Sequence, residues 1–524
     1  MSNKSLFRYL ICVFLLCVGM WSCTSPDPSP NTAVVGLRGD VDSFNELNAA
    51  DSDALQMIKH LLFLSLMRLN EDLEHVPYLA TSWEVSDDGR QVTFFLRNDV
   101  QWSDGEPTTA DDVLFTYRTM TDPEVAYPAV SRFDLVDRAE KLDDFTVRFV
   151  LTQPYPNMLF DLNFPILPQH ILGPLSPDER LTSSFNRKPV SNGPFVPHEW
   201  QANRAIVFHA FEQFALEKPR LERLIFSIIP DENVLLANLR NQTVDVVPRV
   251  SPDQLNSIQS DPHIRITSFE GKRFTFVGWN TARPLFSTLV RRALTHAINK
   301  QEIISTLLNG YGQPAIGPLT SMAWAYDSTL QDISYNPERA RELLAEAGWI
   351  DRDADGTLEN NDKEFEFTLK INIGSQQRQD VAVLVQSQLA AIGVRVRIER
   401  VEWNLFIDQV FGQKEFDAVV LTWDSNFTVD PKPLWHSKAI TKGYNFVSYR
   451  NPKVDSLISA ARYTASRELA LPLWSEFQQI VINDCPYTFL FIPDEIIAYN
   501  RRLRGTEFDV RGFLTNSWQW SIEE

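Results

Sequence analysis

FEFTLKINIGSQQRQDVAVLVQSQLAAIGVRVRIERV, residues 365–401, decides the fold class. It opens with FEFTLKINI (365–373), a strand-like run stopped by Gly374. A helix is predicted over roughly 377–392 and closed by Gly393, since glycine accepts the left-handed turn that ends helices. VRVRIERV (394–401) then alternates, with Val394, Val396 and Ile398 on one face and Arg395, Arg397 and Glu399 on the other. That period of two marks a half-buried strand. A short helix near 404–411 leads into FDAVVLTW (416–423). Strand, helix, strand, helix, strand is a βαβαβ unit, so an α/β fold with a parallel sheet is predicted.

Outward from this unit the chain remains legible. NPERARELLAEAGW (336–349) places Asn336 at a helix N-cap, Pro337 at the first helical position and Gly348 just past the end. Ala340, Leu343, Leu344 and Ala347 form its apolar stripe. QVTFFLR (91–97) and FTVRFVL (145–151) alternate as half-buried strands, and RLIFSIIP (223–230) reads as another. Asp231 caps a helix running to about 239, and TVDVVP (243–248) returns as a strand. With 524 residues the chain exceeds what one core accommodates, so two or more lobes are expected.

Ligands of open parallel sheets sit beyond the carboxyl ends of the strands. Gly374 and Ser375 occupy that position after the first strand, and Trp423, Asp424 and Asn426 after the third. The segment LTWDSNFTVDPKPLWHS (421–437) adds a second tryptophan, Trp435. Large aromatics need a partner surface, which favours a ligand wall over an ordinary polar βα turn.

The net charge of −19 is spread along the chain and disfavours binding to phosphate backbones, so no nucleic-acid partner is expected. Lys4 and Arg8, the eleven apolar residues LICVFLLCVGM (10–20) and MWSC (20–23) read as a signal peptide over residues 1–22. Eleven are too few to cross a bilayer, which takes roughly 20. Ser22-Cys23 resembles the lipobox of bacterial lipoproteins, which makes Cys23 the lipidated first mature residue and residues 23–33 anchor and tether. Removing residues 1–22 takes away Lys4 and Arg8 and no acid, so −19 becomes −21. Cys485 is then the only thiol of the folded part, read as a small buried hydrophobe.

Searches for chemistry find no G-x-S-x-G elbow, no C-x-x-C and no phosphate-binding loop. HEWQA (198–202) lacks the second histidine of a zinc-protease helix, and His436 beside Trp435 reads as a capping or packing residue. Nothing requires an enzyme or a cofactor. DRDADGTLENND (351–362) sets Asp351, Asp353, Asp355 and Asp362 at EF-hand spacing around Gly356. Two readings stand: a structural Ca²⁺ loop, or a solvated turn, since a strand rather than a helix comes next.

In order along the chain, several segments resemble the extracellular solute-binding proteins of the peptide/oligopeptide/nickel class of ABC transporters, solute-binding family 5. VPYLATSWEVSDDGRQVTFFLRNDVQWSDGEPTTADDVLFTY (76–117) is similar to the family's P-x-L-A-x-S-W … F-x-L-R … D-G-x-x-x-T-A-x-D-V signature. VSNGPFVPHEW (190–200), FVGWNTARPLFSTLVRRALTHAINKQEII (276–304), YNPERARELLAEAGW (335–349) and the stretch 416–456 continue the likeness. The resemblance implies a two-lobed periplasmic-binding-protein-like fold. Lobe I would hold residues 34–270 plus 485–524, with a subdomain inserted over about 50–180, and lobe II residues 271–484. It also implies a monomer that performs no reaction, captures peptides between the lobes and delivers them to an ABC permease. The location implied is the bacterial cell envelope, on its periplasmic side or at the cell surface, held by the lipid.

In peptide-binding members a tryptophan and an aspartate after the corresponding strand lie at the pocket, the carboxylate facing the peptide ammonium. Trp423 matches. The W-x-x-D spacing falls on Asn426, Asp424 stands directly after the tryptophan, and the W-x(6)-D-P form here ends at Asp430-Pro431. GYNF (443–446) resembles a pocket-lining segment with Asn445 as a hydrogen-bonding amide; in the alternative, Tyr444 and Phe446 are core and Asn445 shapes a turn. Competing readings are an oligosaccharide or metal-chelate binder on the same fold, an exported hydrolase using paired carboxylates, and a docking protein that kept only the fold.

Overall fold

The structure is a computed structural model and describes residues 31–523, so the signal segment, Cys23 and residues 24–30 lie outside the described residues. Two sheets share one long strand, Tyr487–Asn500. In the first lobe, Thr32–Leu37 runs parallel to Arg223–Ile228, which is flanked in turn by the antiparallel strands Ala205–Ala210 and Phe195–Gln201. On its other side Val246–Val247 joins the sheet to the shared strand. A separate antiparallel sheet of Ala80–Val85, Gln91–Leu96, Thr146–Leu151 and Val136–Asp143 forms the subdomain of this lobe. Its alternation is the one read from sequence: Val92, Phe94, Leu96, Val147, Phe149 and Leu151 are all buried.

In the second lobe, Glu366–Asn372 pairs in parallel with both Arg395–Val401 and Ala418–Asp424, so the βαβαβ unit is present. The helix Gln376–Ala390 crosses between the first two strands and buries Val381, Ala382, Val385 and Leu389. The parallel part ends there. Ala418–Asp424 pairs antiparallel with Arg273–Trp279, which is antiparallel to the shared strand, so the sheet is mixed. The short helix predicted near 404–411 is Trp403–Ile407, continued as a π-helical turn over Asp408–Gln413. Each face of the sheet carries its own core. One contains Leu369, Ile371, Val385 and Leu389, the other Phe276, Leu421, Trp435, Trp474 and Tyr487.

The lobes meet where strands change sheets. Ile264–Glu270 pairs with the second half of the shared strand in lobe I, and Arg273–Trp279 pairs with its first half in lobe II. The chain therefore passes back within the strand near Pro493, some residues beyond the position 485 read from sequence. Pro493 has no N–H to donate, which suits a position where the pairing partner changes. Gly271 donates its N–H to the Pro493 carbonyl at 3.1 Å. A Cβ at Gly271 would stand 2.4 Å from that oxygen, so only glycine allows the two crossing segments to touch.

Candidate functional site

The lobes enclose a cavity of about 590 Å³. Lobe I contributes Glu46, Lys59, Arg132, Tyr155, Phe160 and Asp161; lobe II contributes Asn426, Phe427, Thr428, Asp430 and Arg462. The loop after Trp423 thus faces the other lobe. It is pinned there by Asn157, whose amide donates to the Val429 carbonyl at 3.0 Å. The Asn157 side-chain oxygen accepts from the Trp324 indole at 2.9 Å and from the Val429 N–H at 3.4 Å. Phe427 lies flat against Phe160 across the gap, with centroids 6.3 Å apart and planes 7° apart, and the Lys272 ammonium sits 5.6 Å from the Phe427 ring. The wall combines aromatic faces with charged side chains of both signs, which suits a ligand that is part apolar and part zwitterionic.

The electrostatics are those of a partly dehydrated site. Burial, with Lys272 and Arg511 nearby, lowers the Lys59 ammonium to about 8. Burial raises Asp161 to about 6 against the pull of Arg132. Glu46 is likewise raised by burial, although the Tyr127 hydroxyl donates to it at 2.8 Å. Asp430 is 3.4 Å from Arg462.

The residues singled out from sequence distribute unevenly. Asn426 lines the interlobe cavity and also a neighbouring recess of about 120 Å³ that contains Asp424. Asp424 is exposed and accepts from Arg273 Nε at 2.9 Å. Because side chains alternate along Ala418–Asp424, Trp423 lies on the opposite face. It is half-buried among Phe276, Phe411, Tyr444 and Phe446, and its indole reaches the Tyr487 hydroxyl at 3.4 Å. Gly374 adopts φ +97° and Ser375 caps the following helix, accepting from Arg378 N–H. Neither lines the interlobe cavity.

Two expectations are corrected. Trp435 borders the recess but is 0 % exposed, packed on Tyr487 at 4.6 Å, so it is core and not an accessible clamp. Asn445 is also 0 % exposed: its amide nitrogen donates to His436 and Tyr449 carbonyls and its oxygen accepts from Tyr449 N–H. Both donors of that amide are used and the group is wholly buried, so a ligand does not reach it. Tyr444 beside it is exposed, the reverse of the core alternative for that ring. His436 is a capping residue, accepting from Lys438 N–H at 3.1 Å.

The acidic loop is corrected in membership. Asp351, Asp353 and Glu359 bring carboxylate oxygens within 4.8 Å of one another, whereas Asp355 and Asp362 do not join them. Asp355 accepts from Thr357 N–H, Asp351 from Gly356 N–H and Asp353 from Asp355 N–H, the bonding of a tight turn.

With this geometry in place, the chain can be set beside known proteins. Residues 74–445 match the family model of bacterial extracellular solute-binding proteins, family 5. The chain belongs to that family. Its relatives include the oligopeptide-binding protein AppA of Bacillus subtilis, 30 % identical over 99 % of each chain. They also include the dipeptide-binding protein of Escherichia coli, 28 % identical over 84 % of each. The solved AppA structure, in complex with a nonapeptide, superposes with a TM-score of 0.72 over 94 % of this chain and 99 % of that one. NikZ of Campylobacter jejuni, in complex with Ni(L-His), gives 0.76 at 28 % identity over 94 % and 100 %. Family 5 proteins are extracellular binding proteins, and the two-lobed α/β architecture is theirs.

The interlobe cavity is also lined by residues not singled out from sequence, among them Glu46, Lys59, Arg132, Phe160, Asp161, Phe427 and Arg462. One signal was available. ALQMIKHLLFLSLM (54–67) is an apolar run interrupted only by Gln56, Lys59, His60 and Ser65, and a lysine inside such a run is costly without a task.

Proposed function

We propose that this protein is the peptide-capturing component of an ABC importer, that its lobes close over the ligand about the 270–273 and Pro493 crossings, and that a membrane permease receives the cargo. The supporting observation is the interlobe cavity, with stacked aromatic rings and both signs of charge on walls from two lobes. An extended peptide satisfies its backbone against such walls, with apolar contact that does not depend on side-chain identity. In this reading no reaction is catalysed, the protein acts as a single copy, and Cys23 carries the lipid that holds it at the membrane surface. Mass spectrometry of solute retained by protein purified from its native host tests the proposal: peptides are expected, and a sugar or metal chelate in their place overturns it.

Within this reading the ligand ammonium is assigned to Asp430. That carboxylate lines the interlobe cavity as well as the recess and its side chain is 36 % exposed beside Arg462, whereas Asp424 lines the recess alone and is 72 % exposed beside Arg273. Asp430→Asn is expected to weaken free-amine peptides about tenfold, the scale of one charge-assisted hydrogen bond, and to leave N-acetylated peptides unchanged. Asp424→Asn is expected to alter either by less than about threefold, because exposed pairs contribute little. Titration calorimetry with both peptide forms reads the difference; equal losses for acetylated and free peptides in Asp430→Asn would remove its role.

A further inference from the structure

A second, smaller space opens off the interlobe cavity. Lys59, Ser65 and Leu69 line both. Its remaining walls are His60, Arg68, Tyr78, Arg511, Thr515, Asn516 and Trp518, and its volume is about 30 Å³. A water needs roughly 10–15 Å³ of such space, so the niche admits about two oxygen-sized groups and no whole side chain.

Its chemistry is lopsided. Lys59 and Arg68 have no carboxylate within ion-pair distance among the described residues. Glu46, the acid that acts on Lys59, belongs to the larger cavity and is held by Tyr127. Arg68 donates through Nη1 to the Asn516 side-chain oxygen at 3.2 Å and lies over Trp518, but its Nε–H is buried without a partner. Thr515 is 4 % exposed and its hydroxyl is also unpartnered. Only Arg511 is neutralised, by Glu507 and Asp509. Lys59 stands on the π-helical turn Ile58–Leu62, a rare local geometry that re-aims side chains and recurs at functional sites. Two uncompensated cations and a free hydroxyl around a space for two oxygens is a costly arrangement when empty.

We propose that this niche receives a carboxylate of the bound peptide, its two oxygens accepting from Lys59, Arg68 and Thr515. The assignment rests on the peptide reading above. It places the anionic end of the ligand in lobe I, while Asp430 of lobe II takes the ammonium, so a zwitterionic chain spans the gap. The carboxylate comes from the C-terminus or from an Asp or Glu side chain.

The test offers wild type, Lys59→Met and Arg68→Met a mixed-sequence library of tetra- to nonapeptides as free acids and as C-terminal amides, with retained species counted by mass spectrometry. Wild type is expected to prefer acids by about tenfold or more. Both variants should fall to within about threefold, and Lys59→Met should melt no lower than wild type, since methionine suits the apolar run. Amides retained only when they contain Asp or Glu assign the niche to a side-chain carboxylate. Acids and amides retained alike overturn the niche while the peptide reading stands. If neither is retained, the peptide reading fails, and the solute found on the native protein decides the niche. A solute without an anionic group overturns it; an anionic one lost from Lys59→Met supports it.

Discussion

Trp435→Ala is expected to destabilise the protein by about 3–5 kcal/mol, the range for truncating a large buried aromatic, with little change in the affinity of the molecules that remain folded. The indole is wholly enclosed, with its ring centroid 4.6 Å from Tyr487, 6.1 Å from Phe489 and 6.2 Å from Tyr449. These residues come from the shared strand and from the segment that Asn445 braces. Deleting the ring would leave a void between them. The cost is packing and not a lost hydrogen bond, because the indole N–H has no partner among the described residues. Trp435→Phe keeps most of the contact and removes a buried orphan donor, so its cost should stay below about 2 kcal/mol. Urea unfolding of the three proteins, with calorimetry on each, checks both parts. A Trp435→Ala protein that unfolds like wild type yet loses ligand would return the residue to the role of a clamp.

That contrast marks where sequence reading reaches and where it stops. Periodicity located the strands Glu366–Asn372 and Arg395–Val401 and the helix between them within a residue or two, because period and end signals are local properties of the chain. The third strand, Ala418–Asp424, was also found, but the roles of its last residues and of the loop beyond depend on which face each side chain takes. One step of the alternation puts Trp423 among Phe411 and Tyr444, and the next puts Asp424 beside Arg273. Spacing from the tryptophan cannot convey that the stretch from Asn426 to Asp430, and not Asp424, faces the other lobe. Neither can it show that Asn445, in a polar-looking turn, has each of its amide groups bonded inside lobe II. The lobe I half of the site was illegible for a different reason. Glu46, Lys59, Arg132 and Asp161 come from four separated segments, and only the folded chain places them opposite Phe427 and Arg462. The π-helical turn carrying Lys59 breaks the 3.6-residue period, so the helical pattern around it fades where the functional residue stands.

Asp161→Asn is expected to stabilise the protein by about 2–3 kcal/mol at pH 8 and to do nothing measurable near pH 3.5. Burial raises the folded-state pKa of Asp161 to about 6 from an ordinary 3.8, and each tenfold gain in proton affinity corresponds to about 1.4 kcal/mol. The folded chain therefore holds this proton more tightly than the unfolded one. That favours folding below about pH 3.8, and the advantage is lost as pH rises through about 6 and the carboxylate ionises in a partly dehydrated wall. Asparagine never ionises, so it escapes the cost above pH 6 and has no advantage below 3.8. Arg132 softens the penalty but cannot cancel it, because its guanidinium donates to the carbonyls of Phe160, Asp161 and Asn163. Asp430, which adds to the rise, lies in the opposite lobe and brings a like charge towards Asp161. The same substitution should thus ease approach of the lobes and, at pH 8, strengthen binding of peptides that do not use Asp161. Urea midpoints of wild type and variant between pH 3.5 and 8 give the stability curve. Parallel curves would show that the carboxyl ionises freely in the folded protein and that the wall is wet, and a variant that gains only at low pH would show that Arg132 holds the carboxylate ionised.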